Sequence, residues 1–372
     1  MDAYIVDAAR SPIGRKNGTL AAMRGDDLAA QVLNGLVARN DLDPAEIEDV
    51  QMGCVTQIGE QGWNVGRMTV LAAGWPVSVS ATTVDRQCGS SMQTNLNAAA
   101  AIDSGQADLV VSAGVEMMSR VPMGSNGGSV SEQVTSRYDI VMQGISAELL
   151  AEEWKLEREA LDAFSLESHR RAIAASDTGR FEREIVPIDN LAVDEAPRRE
   201  TSLEKLAALT PAFRPDGVVT AGNSSQIVDG AAAVLVASQS AIDRLGLVPR
   251  ARFVSFGLAG VDPTRMLHGN PEAIRKALDR AGLTLDDMSV IEVNEAFASV
   301  VLQTVADLGL EERMADVNPN GGGISLGHPL GATGARITAT LLGELERRGA
   351  RYGIASMCVG FGMAIAGVFE RV

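Results

Sequence analysis

The feature that most limits how this chain can fold is a weak internal repeat, in which the last ~120 residues echo the first unit at an offset of roughly 240 positions. Ile47, Val50 and Met52 line up with Met288, Ile291 and Val293, so Gly53 falls opposite Asn294. Farther on, the turn Cys88-Gly89-Ser90-Ser91 lines up with His328-Pro329-Leu330-Gly331, and each leads into a helix-prone run. Two similar halves would therefore present Cys88 and His328 at equivalent turns.

The first ~117 residues alternate strand-like and helix-like stretches, the pattern of an α/β unit with helices covering a sheet. Candidate strands are Tyr4 to Asp7, Val50 to Val55 and Leu109 to Ala113, and the alanine-rich stretch Gln93 to Ser104 suits a buried helix. From Ser119 the texture changes to a glycine- and serine-rich stretch, then a helix-prone charged run from Ala147 to Ala175, then a polar segment with several prolines. An apolar pattern resumes at Thr220, and Gln226 to Ala237 can supply strands that complete the first unit. The expected organisation is an N-terminal half at 1-118, an inserted loop domain at 119-217, completion of the N-terminal half at 218-246, and a C-terminal half at 247-372.

With 46% apolar and 22% charged residues the composition is that of a globular protein, and no apolar run is long enough to cross a bilayer. Met1 to Gly14 alternates like a strand and lacks the basic start and apolar stretch of a secretory signal, so a cytoplasmic location and no membrane partner are expected. A net charge of -16, with basic residues mostly dispersed, argues against nucleic-acid binding. Three widely spaced cysteines do not form a disulfide framework, and no close ligand pair suggests a metal site.

Each candidate for chemistry also has a plainer reading. Cys88 precedes a long helix whose unpaired first amides favour an anion, so its thiol is expected to ionise easily; a small residue packed at a helix start is the alternative. His328 sits in NPNGGGISLGHPLGATG, where glycines let backbone approach a ligand closely. A phosphate loop is excluded there because no Gly-Lys-Ser/Thr follows, although a series of structural turns remains open. Cys358 lies between two hairpin-like apolar runs, where neighbouring glycines would open its thiol and the Gly360 amide toward a cavity; a core cysteine is the alternative. Asn294 follows an apolar strand and could instead cap a helix. Cys54 in a strand, a solvated His169 beside Arg170 and Arg171, and the loop residue His268 are weaker candidates.

Taken together, Cys88 in DRQCGSSMQ, Asn294 in VNEAFASV, His328 in NPNGGGISLGHPLGATGARI and Cys358 in MCVGFGMAIAG resemble, in order, the four active-site blocks of the thiolase family. The resemblance spans nearly the whole chain and includes AGNSSQIVDGAAAV around Ser225. It implies a five-layered α/β/α/β/α fold of two similar halves with an inserted loop domain over the coenzyme A site. It implies catalysis by Cys88 as nucleophile, His328 as its base, Cys358 as acid and base, Asn294 holding a water for the enolate oxygen, and the amides of Cys88 and Gly360 stabilising the tetrahedral intermediate. Ser225 would meet the pantetheine arm, while Arg198 and Lys205 would meet the nucleotide end.

The implied substrates are an acyl-CoA and coenzyme A as co-substrate, with no permanently bound cofactor, in a homodimer or homotetramer. GCVTQIGEQ, TVDRQCGSS and VNEAFASVV look especially like bacterial thiolases of steroid-ring breakdown. The stretch from Arg120 to Tyr138 looks shorter than in biosynthetic thiolases, where that loop helps form the tetramer and the acyl pocket. A ketoacyl-synthase-like condensing enzyme would instead pair its cysteine with two histidines, and a noncatalytic acyl-CoA carrier would not need all four reactive positions.

Overall fold

The computed structural model describes residues 2-372. The chain runs through β1 (Tyr4–Arg10), β2 (Gly14–Arg15), α1 (Gly25–Arg39), β3 (Asp49–Gly53), α2 (Val65–Ala72), β4 (Ser80–Val84), α3 (Ser90–Asp103) and β5 (Leu109–Met117). Four helices follow: α4 (Glu132–Thr135), α5 (Gln143–Glu153), α6 (Arg158–Asp177) and α7 (Leu203–Ala207). Then come β6 (Val228–Ala237), α8 (Gln239–Leu245), β7 (Ala251–Gly260), α9 (Asn270–Ala281), β8 (Met288–Val293), α10 (Ala298–Leu308), α11 (Thr333–Arg348), β9 (Tyr352–Val359) and β10 (Met363–Arg371).

Strand order makes the repeat visible. The path is β4-β3-β5-β6-β1-β7-β10-β9-β8. Reading outward from the β1/β7 junction, each half shows two antiparallel steps and then a parallel one, β1-β6-β5-β3 against β7-β10-β9-β8. Beyond β8, Val317 bridges Ile291 in parallel where β4 pairs with β3 in the first half. In the sheet the halves join where β1 pairs antiparallel with β7, through Tyr4↔Arg252 and Ile5↔Ala251.

Side chains alternate between the faces of a strand, so neighbouring residues sort into different layers. In β5, Val111 faces α1 and α2, whereas Val110 faces α3 and α11. In β10, Val368 faces α9 and α10, whereas Phe369 faces the central helices. The result is five layers, with α3 and α11 sandwiched between the two halves of the sheet. These helices run parallel: Ser91 accepts the Ala335 amide at 3.0 Å, and one turn on Asn95 donates to Thr338 at 2.9 Å. Both N-termini consequently lie at the same end of the central layer.

Observed elements extend beyond several expected ones. β5 continues to Met117 rather than ending at Ala113, because Glu116 is hydrogen-bonded inside the protein instead of terminating the strand. Gln226 and Ile227 precede β6, and the helix expected at Gln93 starts at Ser90. Helix α6 ties the intervening segment to the C-terminal half: Ser168 donates to Glu295 at 2.6 Å, and Arg171 donates to the Val317 carbonyl at 2.6 Å.

Candidate active site

The Cys88 turn is built by local hydrogen bonds. Asp85 accepts the Gln87 amide at 2.6 Å, Gln87 takes a left-handed φ of 45°, and the Ser90 hydroxyl donates to the Gln87 carbonyl at 2.6 Å. A Cβ on Gly89 would come within 2.9 Å of both Val359 and Ile365, so glycine lets the turn seat against the β9-β10 hairpin. That contact sets the turn beside Gly360, whose amide, with that of Cys88 itself, favours the Cys88 thiolate.

The expectation that Cys88 ionises easily is overturned. Only 8% exposed, its thiol is pushed up to about 12 by burial, and Glu116 and Asp85 oppose ionisation further. The two amides pull the other way without prevailing. Desolvation outweighs the helix N-terminus, so the resting residue is a neutral thiol.

Cys358 is the penultimate residue of β9, opposite Ala364. Far from opening to a cavity, it is fully buried with Ala147, Leu150, Val219, Met266, Leu267, Ala296 and Val300. Burial raises its pKa, and so does the charge on a Cys88 thiolate, which puts the two sulfurs within electrostatic reach.

His328 is buried, and its tautomer follows from its partners. The Thr333 hydroxyl donates to the Pro329 carbonyl at 2.8 Å, so it can only accept at 2.6 Å from Nδ1 of His328. Nε2 is thereby left with a lone pair, toward which the Asn294 amide nitrogen points at 3.3 Å. Burial and then the Arg336 charge lower the imidazole pKa to about 3, which keeps it a neutral base. Leu330, two residues on, packs with Cys88, Val55 and Met118. A Cβ on Gly331 would lie 2.6 Å from the Gly53 carbonyl oxygen, so this glycine lets the histidine loop press against the first half.

Asn294 is no helix cap, since α10 begins at Ala298 after Phe297. Its amide donates to the Ser356 carbonyl at 2.9 Å, which sets it beside β9 two residues before Cys358. Cys88, Asn294, His328, Cys358 and Gly360 thus converge from four loops and one strand end.

Ser225, Arg198 and Lys205 share one cavity of about 830 Å³ whose wall also carries Arg15, Lys16 and Arg199. Five of the 32 basic residues are therefore gathered here, from stretches far apart in the chain. The cavity adjoins the reactive groups through backbone: the Ser225 amide donates to Ala296 at 2.9 Å, and the Gln226 carbonyl accepts the His328 amide at 3.2 Å. His169 also lines it and is buried, not solvated; its Nδ1 accepts the Arg198 amide at 3.0 Å, and burial lowers its pKa to about 4. His268 is on the loop whose Met266 and Leu267 pack around Cys358, with its Nδ1 3.3 Å from the Arg265 carbonyl.

Residues 3–240 match the family model described as Thiolase, N-terminal domain, and residues 247–371 match Thiolase, C-terminal domain. The chain belongs to the thiolase family. Steroid 3-ketoacyl-CoA thiolase FadA6 of Mycobacterium tuberculosis is 46% identical over 388 residues, covering 100% of this chain and 94% of that protein. Beta-ketoadipyl-CoA thiolase of Acinetobacter baylyi is 45% identical over 398 residues, covering 100% and 99%. The crystal structure of the Bacillus anthracis acetyl-CoA acetyltransferase superposes with a TM-score of 0.92 at 40% identity, covering 100% of this chain and 99% of that one. This thiolase is therefore an acyltransferase that uses CoA substrates, acting by thiolytic cleavage or the reverse condensation.

Two residues that shape the thiolase site are not among the candidates legible in the sequence. Thr333, five residues after His328, sets the imidazole tautomer; its signal was a hydroxyl at the end of a glycine-rich loop. Glu116 is a lone acid in an apolar strand, and that oddity was its signal. Its carboxylate accepts the amides of Val55 and Thr56 at 3.0 Å and of Gly331 at 2.9 Å, pinning the histidine loop beside the Cys88 turn.

Proposed function

We propose that this thiolase works through an acyl-Cys88 intermediate on a bulky 3-oxoacyl-CoA of a degradative route, in the cytoplasm. The observation that carries the reading is the packing of the Cys88 turn against the β9-β10 hairpin, which bears Cys358 and Gly360, through Gly89, and against Leu330 of the His328 loop. Nε2 of His328 takes the Cys88 proton, and the thiolate attacks the 3-oxo carbon. The amides of Cys88 and Gly360 stabilise the alkoxide.

Collapse of the alkoxide breaks the bond between C2 and C3 and leaves the electron pair in an acetyl-CoA enolate. His328, now protonated, and a water held by Asn294 serve the enolate oxygen while Cys358 gives its proton to C2. Cys358 then takes the proton of a second coenzyme A thiol, whose sulfur attacks the acyl-enzyme. Cys88 leaves as thiolate and recovers its proton from His328.

The cationic cavity suits the nucleotide end of the coenzyme, with Ser225 toward the pantetheine and Arg198 and Lys205 toward the phosphates. Five basic residues against Glu195 and Glu200, on a chain of net charge -16, would steer a polyanion to it. A homodimer or homotetramer is supported by β4, an edge strand, and by exposed Trp63 and Val77 in the segment before it. The similarity to FadA6 supports a bulky acyl group.

The deciding experiment incubates the protein with coenzyme A and short, long and polycyclic 3-oxoacyl-CoAs while acetyl-CoA release is followed. Cys88→Ala should lose release and still bind CoA. Release that persists in this variant overturns the acyl-Cys88 route.

A further inference from the structure

The hairpin joining β9 to β10 turns through Gly360, Phe361 and Gly362, with Val359 paired to Met363 across it. Phe361 holds a φ of 64°, a left-handed conformation that strains any residue bearing a bulky side chain. The residue is 55% exposed, so the strain is not repaid by core packing. The same hairpin receives the Cys88 turn, since Gly89 seats against its Val359 and Ile365.

A second exposed apolar side chain belongs to the same rim. Met142, 70% exposed, immediately precedes α5. The next residue, Gln143, brings its side-chain nitrogen to 3.8 Å from where a Cβ on Gly360 would stand. Val141, just upstream, packs on the cluster around Cys358. Phe361 and Met142 are thus the chain neighbours of two residues, Gly360 and Gln143, that lie close together. A strained, exposed aromatic ring next to a reactive group points to use in binding, because neither stability nor solubility favours it.

We propose that Phe361 and Met142 form an apolar lip that receives the acyl group carried on Cys88 and sets the preference for bulky apolar 3-oxoacyl thioesters. This inference rests on the acyl-Cys88 reading. The amide of Gly360 fixes the reacting oxygen, and the adjacent ring covers the apolar group that extends from the same carbon. Acetoacetyl-CoA leaves only a two-carbon acyl group and reaches little of the lip.

The test is the ratio of kcat/KM for a polycyclic 3-oxoacyl-CoA to that for acetoacetyl-CoA, measured for the unaltered enzyme and for Phe361→Gly, Phe361→Leu and Met142→Ala. Glycine relieves the backbone strain, so Phe361→Gly should melt no lower than the parent while its ratio falls about tenfold to a hundredfold. Phe361→Leu should fall between the two. A ratio changed by less than about twofold overturns the lip, given the discrimination expected of even one methylene. So does a change in molecular mass by light scattering with the ratio intact, which would assign this rim to a second copy of the chain. A parent enzyme that cleaves acetoacetyl-CoA but no bulky ester also overturns the lip while leaving the acyl-Cys88 route standing. Failure to cleave any ester brings down both.

Discussion

Thr333→Val is the most searching single substitution, because it changes one hydroxyl into a methyl group of nearly the same shape. In the parent, His328 Nδ1 donates to this hydroxyl at 2.6 Å, and the hydroxyl is committed as a donor to Pro329. Without the acceptor, a buried N–H is unsatisfied at a cost of about 1 to 3 kcal/mol. The imidazole can escape that cost by moving its proton to Nε2, which removes the lone pair needed to take the Cys88 proton. A bias of that size depletes the competent tautomer roughly fivefold to 150-fold. The expected result is a fall of that order in kcat/KM for acetoacetyl-CoA thiolysis, with slower alkylation of Cys88 and a melting temperature only slightly lower. Thr333→Ser should recover most of the loss. Full activity in a folded Thr333→Val enzyme would refute the tautomer argument.

For Cys88, the rate of alkylation by iodoacetamide should keep rising above pH 9, since burial pushes the thiol up to about 12; a plateau governed by a pKa below ~8.5 would contradict this. Cys358→Ser should acylate poorly and turn over far more slowly still, seen as burst release of acetyl-CoA without steady-state cycling; unimpaired turnover removes Cys358 from the mechanism. Glu292 is buried with one oxygen unpartnered, and its pKa is raised to about 8 by burial. Below an unfolded value of about 4.3 both states hold the proton, and as pH rises the unfolded chain releases it first, so this residue costs stability progressively up to about pH 8. Glu292→Gln should therefore gain in urea midpoint over the parent between pH 4.5 and 8.5, values that bracket this window, and parallel midpoints would sink the prediction.

What was legible in the sequence was mostly local. Val50 and Met52 show the same alternation as Ile291 and Val293 because each pair packs into the apolar layer on one face of its strand. The His328 turn was legible because backbone must pass close to backbone there, which filled its segment with glycine, whereas the Cys88 turn carries one glycine, Gly89, seated against the side chains of Val359 and Ile365. The end of β5 was not, since Gly114 looks like a breaker until the Gly331 carbonyl is seen pressed against it. His169 looked solvated beside two arginines, yet successive helical residues point in different directions: Arg170 is exposed while His169 faces Arg198. The acidity of Cys88 was misjudged for the same reason. A helix start is written in neighbouring residues, whereas the burial that defeats it comes from Val55, Met118 and Leu330, far away in the chain.

The central helices explain why such a site can be inert at rest and still catalytic. α3 and α11 lie parallel with their N-termini together, an arrangement that like dipoles disfavour unless negative charge develops at that end. The reacting groups themselves carry no charge at rest, because burial keeps both thiols protonated and the imidazole neutral. Once substrate seals the site, every negative species along the proposed route forms near this end: the Cys88 thiolate, the alkoxide and the enolate. Preorganised amides then act on charge that exists only during reaction, which lowers the barrier without stabilising the ground state. A resting Cys88 thiolate would absorb that stabilisation beforehand and leave less for the transition state. The high pKa of the thiol is on this argument a requirement of catalysis. A variant that lowers it, such as Glu116→Gln, should alkylate faster at neutral pH without gaining kcat; a parallel gain in kcat would show that ground-state ionisation had been the limiting step.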